Sequence, residues 1–291
     1  MEGNVEYIDV DLPAARLDEW RQTLLGRWAK SATGFLTAID PTTKRKDGKP
    51  SYVWVTTDER EKGEGSEKPF PTWAYLAQVF GLFNRHEVCG IQKSRQVFMT
   101  TATMAYAFHL AAFNRNQKVQ ISKATQEEAE TLLYEKIRVP FSRMPPWLQE
   151  ALEISDKPAK RISFRSTATP KLHSSRSVIE AVAQNAAASS LRGGTTSLLI
   201  IDEAALQDNL SAMLRAAAPM AARIICLTSA DGAEAGGEAF VNFFECSPEA
   251  MKRLKPLPLL LDDLDKLHEY GVSSENWMRD ESVVSQAIEL L

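Results

Sequence analysis

The sequence predicts an α/β fold, a mostly parallel sheet with helices on both faces. Three observations predict it. Short apolar runs of strand length recur at 87–91, 118–122, 198–201 and 223–227. Stretches of helical composition alternate with them, which is the pattern of parallel strands joined by crossover helices. The run LLII at Leu198–Ile201 is apolar at every position, as a central strand covered on both faces must be.

Each element follows in order. Residues 12–30 place Leu17, Trp20, Leu24 and Trp28 near one helical face. Residues 41–67 are rich in charge, glycine and serine and read as a loop or loose hairpin around SYVWV. An amphipathic helix is expected over 72–83, a strand over 87–91 and a helix over 100–114, where Ala, Met, Tyr and Leu dominate without a breaker. KVQIS at 118–122 is a strand. Residues 125–138 are a helix, opened by the capping-box pair Thr125 and Glu128. Pro145 and Pro146 begin a new segment. Residues 161–165 and 176–182 are two strands joined by a polar turn, and the runs at 198–201 and 223–227 are buried strands. Beyond Gly237 the chain reads as helical and acidic. No internal repeat is present.

Composition narrows the function. The 291 residues are 44% hydrophobic and 25% charged, an ordinary soluble balance. Cys89, Cys226 and Cys246 are too few for a disulfide framework and lack zinc-like spacing, so reduced thiols and a cytoplasmic setting are expected. The acidic N-terminus does not read as a signal peptide, and no apolar run approaches the ~18 residues of a membrane span. Charge is uneven. Residues 91–176 carry 14 basic and 7 acidic side chains, net +7, against −2 for 1–90 and −9 for 177–291. A basic middle third suits a polyanion such as nucleotide or nucleic acid.

Three segments carry chemistry. The first, IQKSRQVFMTT at 91–101, is a strand, a polar turn and a helix start. Free backbone N–H groups and the helix dipole there favour a phosphate. Lys93 and Arg95 supply charge, and Thr100 or Thr101 supplies a hydroxyl for magnesium. The plain alternative is an ordinary strand–turn–helix with exposed basic residues, since G-x-x-x-x-G-K-[ST] is not matched. The second, LLIIDEAA at 198–205, ends a buried strand in Asp202 and Glu203, at the edge where α/β sheets bind ligands. In P-loop ATPases such a pair holds the magnesium shell and activates water; the alternative is a solvated acidic helix start. The third, LTSADG at 227–232, brings Thr228 and Ser229 to a strand end, where they either sense a γ-phosphate or cap a turn.

Together, over roughly residues 70–245, KSRQVFMTT, LLIIDEAA and LTSADG resemble the phosphate loop, acidic strand and coupling motif of large terminase subunits, the DNA-packaging ATPases of tailed bacteriophages. The stretch 174–195, with its RG before the acidic pair, is similar to the family's region there. The resemblance implies a RecA-like/ASCE P-loop NTPase. It implies an N-terminal helix and charged hairpin region at 1–68, an ATPase core at 69–245 and a small helical linker subdomain at 246–291. It further implies that Lys93, Ser94, Arg95, Gln96, Thr100 and Thr101 bind ATP, with Lys93 and Arg95 on phosphate. Phe70, Trp73 and less clearly Gln78 would flank adenine. Thr100 and Asp202 would hold Mg2+, Glu203 would activate water, and Thr228 and Ser229 would couple hydrolysis to motion. The implied partners are double-stranded DNA gripped by its backbone, further copies in a homo-oligomeric ring, a portal and a small terminase subunit, with no membrane. The place of action would be the host cytoplasm, docked on a procapsid. A neighbour's arginine finger is implied, with Arg143, Arg161, Arg165 and Arg176 as candidates for it or for DNA contact.

The sequence departs from the family in two ways. Phe98 stands where the loop carries glycine, and Met99 where some members place lysine. A left-handed Phe costs about 1–3 kcal/mol. The loop is therefore expected to work if Lys93 and Arg95 supply the charge and Phe98 stays outside the left-handed region; otherwise it binds ATP weakly or needs a neighbouring subunit. The family's nuclease is not expected in this chain, since Asp262, Asp263 and Asp265 read as a helix end. The competing readings are a helicase- or recombinase-type ATPase acting on DNA, and a non-catalytic assembly module with a degenerate loop.

Overall fold

The computed structural model describes residues 14–38, 53–57, 66–71, 73–93, 98–155, 158–165, 176–186, 195–229 and 239–240. The expected linker subdomain at 246–291, with Asp262, Asp263, Asp265 and Cys246, lies outside these residues, as do Ser94, Arg95 and Gln96.

Helices α1 (Ala14–Trp28) and α2 (Ala32–Leu36) open the chain, and strands β1 (Trp54–Thr57) and β2 (Ser66–Pro69) pair antiparallel around the expected hairpin. Then follow α3 (Ala74–Arg85), β3 (Val88–Lys93), α4 (Met99–Phe113) and β4 (Lys118–Lys123). Helix α5 (Gln126–Leu133) starts at the expected capping box, in which Thr125 accepts from the Glu128 N–H and the Glu128 carboxylate accepts from the Thr125 N–H. The expected helix to 138 changes character at Tyr134. Residues Tyr134–Arg138 form a π turn, with the Val139 N–H reaching the Tyr134 carbonyl. Pro140 has no N–H to donate, so the shift in hydrogen-bond register falls just ahead of it. Short helices α6 (Val139–Ser142) and α7 (Pro146–Leu152) lead to β5 (Ile154–Ser155), β6 (Arg161–Phe164), β7 (Ser177–Ala183), β8 (Leu198–Ile201), α8 (Leu210–Ala217) and β9 (Ile224–Ser229). Strand β5 and helix α8 have no counterpart in the sequence reading.

Seven strands form the main sheet in the order β3-β9-β8-β4-β7-β6-β5. The first five run parallel; β6 is antiparallel to β7, and β5 to β6. One strand, β9, lies between the candidate phosphate-loop strand β3 and the acidic strand β8.

Burial on both faces explains why β8 is apolar throughout and β9 from Ile224 to Leu227. Leu198, Ile200, Ile225 and Leu227 face one core, while Leu199, Ile201, Ile224 and Cys226 face another beneath α8. The larger core also takes Leu25, Trp28, Phe35, Val53 and Val55, so α1, α2 and β1 share it with α3 and α4. Helix α4 is buried nearly all round, from Met99 to Phe113, and Phe35 packs edge-on to Phe113 and stacks on Phe108. A helix this enclosed fixes where its N-terminus points. Among the described residues, no helix is long and apolar enough to cross a membrane.

Candidate functional site

Parallel strands put their carboxyl ends on one edge, and the strand order decides who meets there. Lys93 ends β3 and stands in register with Ser229 of β9, with Gln92 opposite Thr228. Ile201 of β8 pairs with Cys226 of β9 and with Ser122 of β4. The next residues along bring Lys123 beside Asp202. Four strands thus deliver Lys93, Thr228–Ser229, Asp202–Glu203 and Lys123 to one edge.

The first helical turn of α4 reaches the same place. Thr100 donates its hydroxyl hydrogen to Asp202 Oδ1 at 3.0 Å, while Thr101 is buried. The sequence left two threonines open, and Thr100 is the one that touches the acidic strand. Before it, Phe98 caps the helix at φ 60°, ψ 4°. The condition set from the sequence, that residue 98 stay outside the left-handed region, is therefore not met: Phe98 takes the conformation glycine would favour there. Packing compensates. The Phe98 ring lies edge-on to Phe70, with centroids 5.5 Å apart, and to Trp73 at 5.4 Å. Phe70 is 2% exposed, Trp73 is partly exposed, and Gln78 is exposed on α3.

Asp202 is 2% exposed. Lys123 Nζ lies 3.4 Å from its Oδ2 and 2.8 Å from Glu203 Oε2. Burial holds the Asp202 carboxyl above the usual aspartate range, against the opposing charges of Lys123 and Lys93 and the Thr100 hydrogen bond. Burial also works against the Lys123 ammonium, but Asp202 and Glu203 outweigh it and hold Lys123 above the ordinary lysine value.

Glu203 turns the chain at φ 54°, ψ 47°. A polar network supports that turn. Gln207, fully buried, donates to the Asp202 carbonyl at 2.8 Å and the Ser122 carbonyl at 3.3 Å, and its Oε1 accepts from the Ser122 hydroxyl at 3.2 Å. The Thr228 hydroxyl accepts from the Ala205 N–H at 3.1 Å, tying β9 to the residues just past the acidic pair.

Lys123 and Gln207 went unread in the sequence. Their signals were a basic residue at the end of the KVQISK strand and a polar residue four places past Glu203. Neither means anything until β4 is known to neighbour β8. The candidate arginines lie elsewhere. Arg176 precedes β7 and Arg165 follows antiparallel β6, at the sheet edge opposite Asp202. Arg161 pairs with Glu180 at 3.5 Å, and Arg143 is exposed at the end of α6.

Thr100 and Asp202 are hard oxygen donors from one helix and one strand. That suits Mg2+, which takes one or two protein oxygens and completes its shell with phosphate and water.

In overall shape the chain is similar to three solved structures. The HK97 bacteriophage large terminase aligns over 71% of this chain and 39% of its own, at 14% identity and a TM-score of 0.47. The chain therefore spans well under half of that protein. The ATPase domain of the large terminase of Thermus phage P74-26 aligns over 57% of this chain and 68% of its own, at 19% identity and a TM-score of 0.40. An arginine-to-alanine mutant of that domain aligns over 67% and 86%, at 18% identity and a TM-score of 0.41. No family model matches the chain, and no curated protein matches its sequence.

Proposed function

We propose that this chain is the ATPase of a viral DNA-packaging motor of the large-terminase kind, coupling Mg-ATP hydrolysis to movement of double-stranded DNA. One contact supports this above all: the 3.0 Å hydrogen bond from Thr100 to Asp202, which joins the phosphate-loop and acidic-strand motifs across 102 residues.

Lys93, with Arg95, supplies positive charge to the triphosphate, and the α4 N-terminus with Ser94 and Gln96 supplies donors. Thr100 and Asp202 hold Mg2+, which neutralises charge building on the β- and γ-phosphates. Glu203 orients the attacking water and accepts its proton. Phe70 and Trp73, joined through Phe98, border the entrance on the side of the base. The Thr228 hydroxyl on the Ala205 N–H gives strand β9, with Ser229 at its end, a rigid link to the turn that carries Glu203, which is the link a coupling strand needs. Catalysis here is mostly positioning and charge stabilisation.

The substrate beyond ATP is DNA. The net +7 of residues 91–176 favours backbone contacts, and the resemblance of the motifs favours packaging over other DNA work. The chain would act in a homo-oligomeric ring with portal and small-subunit partners, in the host cytoplasm. The arginines at the far sheet edge suit a neighbour's site or the DNA rather than their own chain's nucleotide.

Steady-state hydrolysis of ATP by the wild type and by Glu203→Gln tests the reading. Turnover that needs Mg2+ and falls by about 10²- to 10⁴-fold in the variant is expected. No turnover by the wild type, even concentrated and with double-stranded DNA present, would favour the non-catalytic assembly module.

A further inference from the structure

We propose that Lys123 is a positioning residue of this site: a resident cation that aims Glu203 and competes with the divalent metal for Asp202. The inference rests on the ATPase reading of the same edge.

The geometry is that of a clamp. A single ammonium touches both carboxylates, at 2.8 Å and 3.4 Å, and the Lys123 side chain is only 14% exposed. Asp202 is enclosed on both oxygens, by Thr100 at Oδ1 and Lys123 at Oδ2. Glu203, in contrast, is 44% exposed on its side chain, and a glutamate so open samples several rotamers unless something holds it. Lys123 takes one of its oxygens and so sets where the carboxylate sits relative to Asp202. The two acids are sequence neighbours on a left-handed turn, and without a cation between them they would repel.

The same cation opposes a second one. A divalent ion brought to Asp202 approaches a fixed positive charge in a partly desolvated place, where screening is weak. Lys123 therefore lowers the affinity of the empty site for metal alone. The triphosphate brings the negative charge that lets both cations stay. Metal binding is thereby made conditional on nucleotide, by one side chain at the end of β4.

Mn2+, followed by its free-ion spin-resonance signal, probes this in the nucleotide-free protein. Wild type, Lys123→Met, Lys123→Gln and Lys123→Arg are titrated, together with Lys123→Met combined with Asp202→Asn. Expected is about tenfold tighter Mn2+ binding in the Met and Gln variants, from removal of one nearby charge. The Arg variant should match the wild type, and the double variant should lose the gain. Hydrolysis gives a second readout: kcat should fall roughly tenfold in the Met and Gln variants while the KM for ATP changes little, the pattern of a lost positioning contact. The Gln variant keeps a hydrogen bond to Asp202 and covers the case in which Met prevents folding. Unchanged or weaker Mn2+ binding in both neutral variants overturns the inference, whatever the hydrolysis rates. Tighter binding in a protein whose wild type hydrolyses nothing would leave the clamp standing and remove the ATPase reading instead.

Discussion

Two turns at the same sheet edge pass through the left-handed region on residues other than glycine, and they are held by opposite means. After β3, Phe98 sits at φ 60° and is braced by the rings of Phe70 and Trp73. After β8, Glu203 sits at φ 54° and is braced by Lys123, Gln207 and the Thr228 hydroxyl behind Ala205. Each conformation costs about 1–3 kcal/mol. Two edge-on aromatic pairs, at about 0.5–1.5 kcal/mol each, offset the first. Hydrogen bonds at about 0.5–1.5 kcal/mol each offset the second. The difference matters for function. Ring packing is not exchanged for metal or phosphate, so it holds Phe98 in one conformation. Hydrogen bonds and ion pairs can be exchanged for metal, water or phosphate, so the acidic turn can respond to what binds.

Breaking the polar brace should have the larger effect. Gln207→Leu keeps the volume but takes the side-chain donor from the Asp202 carbonyl and the acceptor from the Ser122 hydroxyl in a buried place, while the Ser122 carbonyl keeps the Asp202 N–H. A loss of about 1–3 kcal/mol is expected in chemical denaturation. Hydrolysis should also fall, since the turn that carries Glu203 loosens; a variant as stable and active as the wild type would mean that the network does not hold the turn.

The aromatic brace gives a smaller but sharper test. Phe98→Ala removes the ring and keeps the left-handed strain, whereas Phe98→Gly removes both. Alanine should therefore be the less stable of the two by about 1 kcal/mol. Equal stabilities, or a less stable glycine variant, would show that the strain at residue 98 is not what the rings offset.

The same contrast explains what was legible in the sequence. Strand β8 and the first four residues of β9 announce themselves because burial on both faces demands an apolar residue at every position. The start of α5 is local chemistry, written in Thr125 and Glu128. Lys93, Thr100, Asp202 and Thr228 could be named as candidates because each lies at a strand end or a helix start. Lys123 and Gln207 were not, because their partners are set by the β4–β8 pairing, which no local pattern encodes. Helix α8 is amphipathic through Leu210, Met213, Leu214 and Ala217 and could have been read from its spacing. Phe98 is instructive in another way. The sequence left its conformation open, because the rings of Phe70 and Trp73 that pack on it in the left-handed region lie more than 20 residues away in the chain.

The central claim is that these two turns face one Mg-ATP. A structure with a non-hydrolysable ATP analogue and Mg2+ tests it most directly. The account predicts the phosphates between Lys93 and Glu203, with the metal bound by Thr100 and Asp202. An analogue seated away from that edge, or a metal that leaves Thr100 and Asp202 bonded only to each other, would contradict it.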